Sequence, residues 1–211
     1  MGKDYPKLVL ERLSERYGYS LHTELKHKNE TELFVSVFLS PQCTDKQVNK
    51  MTPALFSKYK SFKDYANGDM RTLQRYLSGL NYYKTKGRHL KRSSEMILTR
   101  FHGKVPHTIP ELLELPGVGR KVANVILNEG FAINEGIAVD THCGRVAHRL
   151  GFSRSKDPKK IEQKLMQKYS RNAWGKVSNL FIALGRDACK ARDKQCARCV
   201  LNDICPSSTA P

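Results

Sequence analysis

Residues 115–127, LPGVGRKVANVIL, place a tight turn in front of a well-patterned helix. Together with the preceding TIPELLE they predict a short helix, a turn at PGVG and a second helix, which is a helix-hairpin-helix motif. Gly117 and Gly119 lack a Cβ, so they can adopt turn conformations and let a phosphate approach the backbone N–H groups at the positive end of the second helix. A plain helical turn explains PGVG equally well. The basic composition of the chain favours a DNA-backbone contact through Gly117, Val118, Gly119 and Arg120.

The second helix of this motif predicts an unusual environment for one lysine. It is predicted to bury an apolar stripe formed by Val118, Val122, Val125 and Ile126. Lys121 falls at the border of that stripe, whereas Arg120 and Asn124 are predicted to point away from it. Partial burial, the helix dipole and neighbouring Arg120 all favour the uncharged amine of Lys121, which is a nucleophile. Because most helical lysines are only solvated charges, a catalytic role needs support from other residues.

The composition indicates a folded protein with a polyanionic partner. The chain has 211 residues, and its 37 Lys and Arg against 20 Asp and Glu give a net charge of +17. Such a charge opposes compaction unless a partner neutralises it, which makes nucleic acid the best candidate. No apolar run reaches the roughly 18 to 20 residues that cross a bilayer, and the N-terminus lacks a signal-peptide core. We therefore expect no membrane association and a cytoplasmic, nucleoid-associated location, or a nuclear one in a eukaryote.

Hydrophobic periodicity predicts an all-α fold of roughly ten short helices. FVSVFL, within residues 34–39, is rich in β-branched residues but is predicted to be a buried helical turn, and IAV at 137–139 is left unassigned. Breakers are predicted to divide the helices at Pro41, Pro53, 67–69, 102–110, 134–136 and 155–158.

Two further sequence features indicate a chemical function: an aspartate at a predicted helix start and a group of four cysteines. Asp140, in VDTH, begins another predicted helix, where a carboxylate caps the positive helix end; alone it would be an ordinary N-cap.

Four cysteines follow the spacing C-x6-C-x2-C-x5-C near the C-terminus and predict a metal centre formed by Cys189, Cys196, Cys199 and Cys205. Both zinc and an iron–sulfur cluster accept four cysteines. Between the first two ligands, the basic residues Lys190, Arg192 and Lys194 are expected to face phosphates.

Taken together, LPGVGRK, VDTH and the four-cysteine spacing resemble the endonuclease III family of helix-hairpin-helix DNA glycosylases, over about residues 25–205. The resemblance implies two helical domains with a DNA-binding cleft between them. Residues 22–132 would form a six-helix domain with the hairpin. Residues 1–21 and 133–211 would form a second domain closed by a [4Fe–4S] cluster.

The resemblance also assigns roles to single residues. Lys121 matches the catalytic lysine and Asp140 the catalytic aspartate, and the four cysteines match the cluster ligands. Gln42, in LSPQCTD, matches a residue that fills the gap left by an extruded nucleotide. Tyr82 falls where a bulky residue wedges between bases, although the family often has glycine at the position of Asn81.

The implied activity is that of a bifunctional DNA glycosylase and AP lyase, a monomer that removes oxidised pyrimidines from double-stranded DNA and nicks abasic sites. Monofunctional relatives, such as adenine or mismatch-thymine glycosylases, share the hairpin and the aspartate but activate a water and lack a lysine here, so Lys121 argues against them. The alternative from another class is a non-catalytic DNA-binding module with zinc, which would leave Lys121 and Asp140 without a role.

Overall fold

A computed structural model describes residues 4–18 and 22–210, and in these residues the chain is helical. The described part has eleven α-helices, two short 3₁₀ turns and no strand beyond an isolated bridge between Cys189 and Lys194. The helices are α1 Tyr5–Tyr17, α2 Glu30–Leu39, α3 Asp45–Lys58, α4 Phe62–Asn67, α5 Met70–Leu77, α6 Tyr83–Arg100, α7 Ile109–Glu114, α8 Arg120–Phe131, α9 Thr141–Arg149, α10 Pro158–Met166 and α11 Trp174–Asp187. The predicted all-α class is confirmed.

Polar side chains at the N-termini determine where most of these helices begin. Asn29 caps α2, and Thr44 forms a capping box with Gln47 at the start of α3. Ser61 and Asp64 form a second box at α4. Each such cap satisfies an amide that the first turn leaves without a helical acceptor, so these boundaries follow directly from local sequence.

The chain divides into two compact units. The first, Thr23–Ile133, contains the seven helices α2–α8. Its core is rich in aromatic rings: the rings of Phe34 and Phe62 meet edge to face at 5.5 Å, and those of Tyr59 and Tyr65 stack at 4.9 Å. The long helix α6 packs on α4 and α5, and α8 packs on α2 and α7. This packing fixes the hairpin between α7 and α8 within the unit.

The second unit combines Met1–His22 with Asn134–Pro211. Helix α11 packs against both α1 and α9 around buried apolar side chains such as Leu180 and Phe181. The N-terminal helix is held by distant contacts, because the hydroxyl of Tyr5 donates to the carbonyl of Leu150 at 3.3 Å. The two ends of the chain therefore share one core. No helix in the described part of either unit has the length and apolar character that a membrane crossing requires.

One predicted boundary is wrong. Pro53 was expected to separate two helices, but it lies inside α3. The helix continues because it buries side chains on both sides of the proline: Val48 and Thr52 before it, Leu55 and Phe56 after it. Packing of this face outweighs the missing N–H donor, a common tertiary override of local propensity.

Candidate active site

The turn between α7 and α8 is built so that only glycine fits at its centre. Gly117 has a φ of +87°, which side-chain-bearing residues rarely adopt. A Cβ at this position would lie 2.9 Å from Cζ of Phe38 and 3.0 Å from Nδ1 of His89. The hydroxyl of Ser93 donates to the Pro116 carbonyl at 2.8 Å. The turn is therefore anchored against α2 and α6.

Gly119 has a different environment although it is only two residues away. It is the N-cap of α8 with an ordinary φ of −95° and supplies no side-chain acceptor. Apart from its chain neighbours and its own helix backbone, no described residue has an atom within 4 Å of the position its Cβ would take. The first-turn amides of any helix lack intrahelical acceptors and lie at the positive end of its dipole. The open space above Gly119 thus gives an anion access to a donor-rich helix end.

Val118, between these glycines, faces the core. Its side chain is only 6% exposed. Its N–H donates to the Leu115 carbonyl at 3.0 Å. Within the hairpin, Val118 supports the turn from inside, while Arg120 is half-buried at the start of the helix.

Lys121 occupies the first turn of α8 and is half-buried, the position that the helical pattern predicts. Two neighbours differ from the prediction: Asn124 is 3% exposed and does not point away from the core, while Val125 is only half-buried. Because α8 packs against both α2 and α7, its buried face is broader than one stripe and includes Asn124.

Asp140 belongs to the second unit and caps α9. One carboxylate oxygen, Oδ1, accepts hydrogen bonds from the amides of His142 at 2.9 Å and Cys143 at 2.8 Å. Oδ2 accepts neither of these two bonds. The buried segment 137–139, left unassigned from the sequence, is neither helix nor strand and leads into this cap, and Ser178 donates to its Ala138 carbonyl at 2.8 Å. The two amides thus hold the carboxylate in a fixed orientation at the N-terminus of α9.

The four spaced cysteines line one small pocket in the second unit, with a cavity volume of about 30 Å³. The Arg149 guanidinium donates to the Cys189 sulfur at 3.2 Å. Burial raises the pKa of the Cys199 and Cys205 thiols, whereas hydrogen bonding by Thr209 lowers that of Cys196. The sequence gives no sign of the Arg149 contact, because 40 positions separate the partners.

The donor set suits a thiolate-bound metal centre. Cys189, Cys196, Cys199 and Cys205 all line the same pocket, so their sulfurs could bind one centre. Four thiolates are the ligand set of both structural zinc sites and [4Fe–4S] clusters, so the residues present fit either group.

The basic residues of the loop that follows Cys189 differ in how far they are exposed to solvent. Lys190 and Arg192 are exposed, and Arg149 supports their loop by donating to the Lys190 carbonyl at 2.7 Å. Lys194 instead is half-buried, lines the cysteine pocket and donates to the Ser207 carbonyl at 3.2 Å. Only the first two therefore present their charges to solvent.

Gln42 and Tyr82 lie at the surface of the first unit. Both are exposed, Tyr82 by 66%, and both adopt a left-handed conformation, with φ of 59° and 58°. Sequence reasoning missed the two residues that hold this region, Asn81 and Lys86. Their contacts join segments about 40 positions apart, so no local pattern shows them.

Comparison with known proteins identifies the family. Residues 35–171 match the HhH-GPD superfamily of base excision DNA repair proteins. Endonuclease III of Bacillus subtilis is 40% identical over 200 residues, which cover 94% of this chain and 90% of the relative. Endonuclease III of Synechocystis sp. is 39% identical, covering 88% and 85% respectively.

Solved structures agree with these matches. The trapped endonuclease III–DNA covalent intermediate, in its estranged-adenine complex, superposes with a TM-score of 0.92 at 36% identity and covers 98% of this chain and 97% of that one. A thermostable thymine-DNA glycosylase shares the fold at 17% identity, with a TM-score of 0.80 and coverage of 97% and 96%. The chain therefore belongs to the HhH-GPD superfamily of base excision DNA repair proteins and, within it, to the endonuclease III family of DNA glycosylase/AP lyases.

Proposed function

We propose that this chain binds double-stranded DNA, excises oxidised pyrimidines and cleaves the resulting abasic site by β-elimination, with Lys121 as the nucleophile. The observation that carries this proposal is the half-buried Lys121 on the first turn of α8, directly beyond an anion-accessible hairpin. The same chain supplies Asp140, so the proposed chemistry needs no second copy and suits a monomer acting on nucleoid DNA.

DNA engagement begins at the hairpin and the exposed cations. The helix end at Gly119 and the side chains of Lys190 and Arg192 would contact phosphates, which position the duplex without reading its sequence. The target nucleotide must then leave the stack, at a cost of a few kcal/mol that is smallest for a damaged base. Gln42 would fill the vacated gap and Tyr82 would wedge beside it. Selection of damaged bases starts at this step.

The proposed chemistry needs one amine and one carboxylate. The Lys121 nitrogen attacks C1′ of the extruded nucleotide, forming a C–N bond as the glycosidic bond breaks and the base departs with the electron pair. Asp140 stabilises positive charge on the sugar and helps move protons. The amine then loses a proton and the C1′–O4′ bond breaks, with O4′ leaving as a protonated hydroxyl, so that the sugar ring opens and a Schiff base forms between Lys121 and C1′. The Schiff base acidifies the C2′ proton, and loss of that proton expels the 3′ phosphate. One lysine thus supports both activities.

We infer further that the second unit is an iron–sulfur domain. Cys189, Cys196, Cys199 and Cys205 would hold a [4Fe–4S] cluster, which when bound supplies four iron–sulfur bonds that fix residues 189–205. Freshly purified protein should be yellow-brown with about four irons per chain, and a colourless protein with one zinc would contradict this assignment.

The experiment that tests the proposed function is an incubation with matched duplexes containing thymine glycol, uracil, or adenine opposite 8-oxoguanine. We expect base release and strand cleavage on the thymine glycol duplex. Release of adenine without strand cleavage would instead support a monofunctional adenine glycosylase. Tight binding without release from any duplex would support a non-catalytic module.

A further inference from the structure

The loop before α3 and the start of α6 are joined by a short hydrogen bond. The side-chain amide of Asn81 donates to the backbone carbonyl of Gln42 at 2.6 Å. Both Gln42 and Tyr82, the neighbour of Asn81, have left-handed backbones although neither is glycine. Such conformations are costly and persist only where the surrounding structure holds them. This contact therefore links the two strained positions of the surface.

Lys86, in the first turn of α6, forms further hydrogen bonds with the same loop. Its ammonium group donates to the carbonyls of Leu39 and Pro41, both at 2.8 Å, and lies 3.1 Å from the Cys43 sulfur. Leu39 is the last residue of α2, where carbonyl groups and the helix dipole favour a cation. The loop is thus attached to α6 on both sides of Gln42.

These contacts fix the backbone and leave the side chains of Gln42 and Tyr82 exposed. We infer that Asn81 is a positioning residue, which locks the Gln42 loop onto the start of α6 so that Gln42 and Tyr82 enter DNA as one rigid element. The inference rests on the proposed function, because it concerns how the gap left by the extruded nucleotide is filled. A glycine at position 81 could not donate this bond, so the device belongs to the asparagine of this chain.

The test replaces the donor without changing its shape. Asn81→Asp cannot donate to the Gln42 carbonyl and places a carboxylate oxygen against it. The single-turnover rate of base release, measured with protein saturating the thymine glycol duplex, should fall about fivefold, the factor that corresponds to one hydrogen bond of about 1 kcal/mol. Asn81→Ala, which removes the donor without adding charge, should change the rate in the same direction.

A double-mutant cycle separates positioning from a general effect. In a Gln42→Ala background, Asn81→Asp should have a clearly smaller effect than in the wild-type background, because the part of its effect that is transmitted by the Gln42 side chain is already lost. Asn67→Asp, the same charge change at the exposed end of α4, should leave the rate unchanged. An undiminished loss in the Gln42→Ala background, or no loss in the wild-type background, would overturn the inference.

The wild-type reaction on the same duplex keeps the two proposals distinguishable. If the wild-type protein releases no base, the proposed function fails and this inference fails with it. If the wild-type protein is active and its rate is insensitive to Asn81, only the positioning role is lost.

Discussion

Gly117 and Gly119 have different roles in the hairpin. Substitution of Gly117 should lower the stability of the fold, whereas substitution of Gly119 should weaken DNA binding. Gly117→Ala forces a side chain into positive φ and against Phe38 and His89, so it should lower the free energy of unfolding by about 1 to 3 kcal/mol. Gly119→Ala meets open space at an ordinary φ and should change stability by less than about 0.5 kcal/mol. The added methyl group should nevertheless weaken DNA binding, because it covers the proposed phosphate site.

Urea denaturation and DNA-binding titrations of both variants measure this difference. Equal stability losses at the two positions would show that the hairpin backbone does not have the predicted asymmetry. Unchanged DNA affinity in Gly119→Ala would remove the helix end from the interface.

Asp140 combines a structural cap with the proposed catalytic role, and asparagine separates the two. Asparagine caps helices about as well as aspartate, so Asp140→Asn should keep the free energy of unfolding within about 0.5 kcal/mol of wild type. Base release should slow by a factor on the order of 10², the usual effect of losing a positioned acid or base. Asp157→Asn, the same change at the cap of α10, is the matched control. Wild-type release by Asp140→Asn would exclude the carboxylate from the chemistry.

Residues whose function depends on local sequence could be predicted, and residues that act through distant contacts could not. The half-buried position of Lys121 follows from the helical period, and the cap at Asp140 follows from its place before α9. Lys194 looked like one more phosphate contact, but it bonds to the carbonyl of Ser207, 13 positions away. Asn81 looked like a departure from the family, although it contacts a loop 39 positions away.

At the scale of elements, a charged network joins α1 to α11 and to the cysteine segment. The Asp187 carboxylate accepts from the Tyr17 hydroxyl at 2.8 Å and from the Arg198 guanidinium at 2.6 Å, and Arg16 lies 3.8 Å from it. The Tyr17 hydrogen bond, followed by the charges of Arg198 and Arg16, lowers the pKa of Asp187. The N-terminal helix is thus tied to the segment that carries the cysteines.

This network predicts a pH-dependent contribution to stability. The pKa of Asp187 is lower in the folded chain than in the unfolded one, so its contribution is present above the usual value of about 3.9 and is lost as pH falls through the folded-state value. Asp187→Asn should lower the free energy of unfolding by about 1 kcal/mol at pH 7.

Urea denaturation of Asp187→Asn and of wild type at pH 7 and pH 3 measures the effect. The difference between them should shrink toward zero at the lower pH. Asp193→Asn, an exposed aspartate in the basic loop, is the control and should differ little from wild type at either pH. A difference that grows on acidification would contradict the sign of the shift.

Helices were predictable where burial and capping agree with the local pattern. FVSVFL forms part of α2 as expected, because Asn29 caps the helix and the side chains from Leu33 to Leu39 are all buried. Segment 137–139 had no such pattern and forms no helix; the hydroxyl of Ser178 in α11 donates a hydrogen bond to its Ala138 carbonyl. Pro53 shows the opposite error: proline usually ends a helix, but here it lies inside α3, because the buried side chains of that helix stabilise it.

The net charge of +17 describes the whole molecule and predicts a strong dependence of DNA binding on salt. If six or more phosphates are contacted, affinity should fall by roughly 10³ or more between 50 and 200 mM salt. The three basic residues of the loop after Cys189 should not contribute equally, because Lys190 and Arg192 are exposed and Lys194 is half-buried. Replacing Lys190 and Arg192 by alanine should reduce the salt slope by about one unit per contact, without changing lesion preference. Lys194→Ala should leave the slope unchanged, because its charge faces the cysteine pocket.

Titrations of each variant over this salt range check the prediction. A slope that responds to Lys194 but not to Lys190 and Arg192 would mean that the exposed loop is not part of the interface.

The identity of the nucleophile is the central claim for the whole molecule, and borohydride trapping tests it most directly. Sodium borohydride reduces a Schiff base, so the wild-type protein should become covalently attached to thymine glycol DNA. Lys121→Gln should lose both trapping and strand cleavage while still binding DNA, because the hairpin and the exposed cations remain. Lys84→Gln, an exposed lysine of α6, should trap like wild type. Trapping of Lys121→Gln at the wild-type yield would show that another amine is the nucleophile.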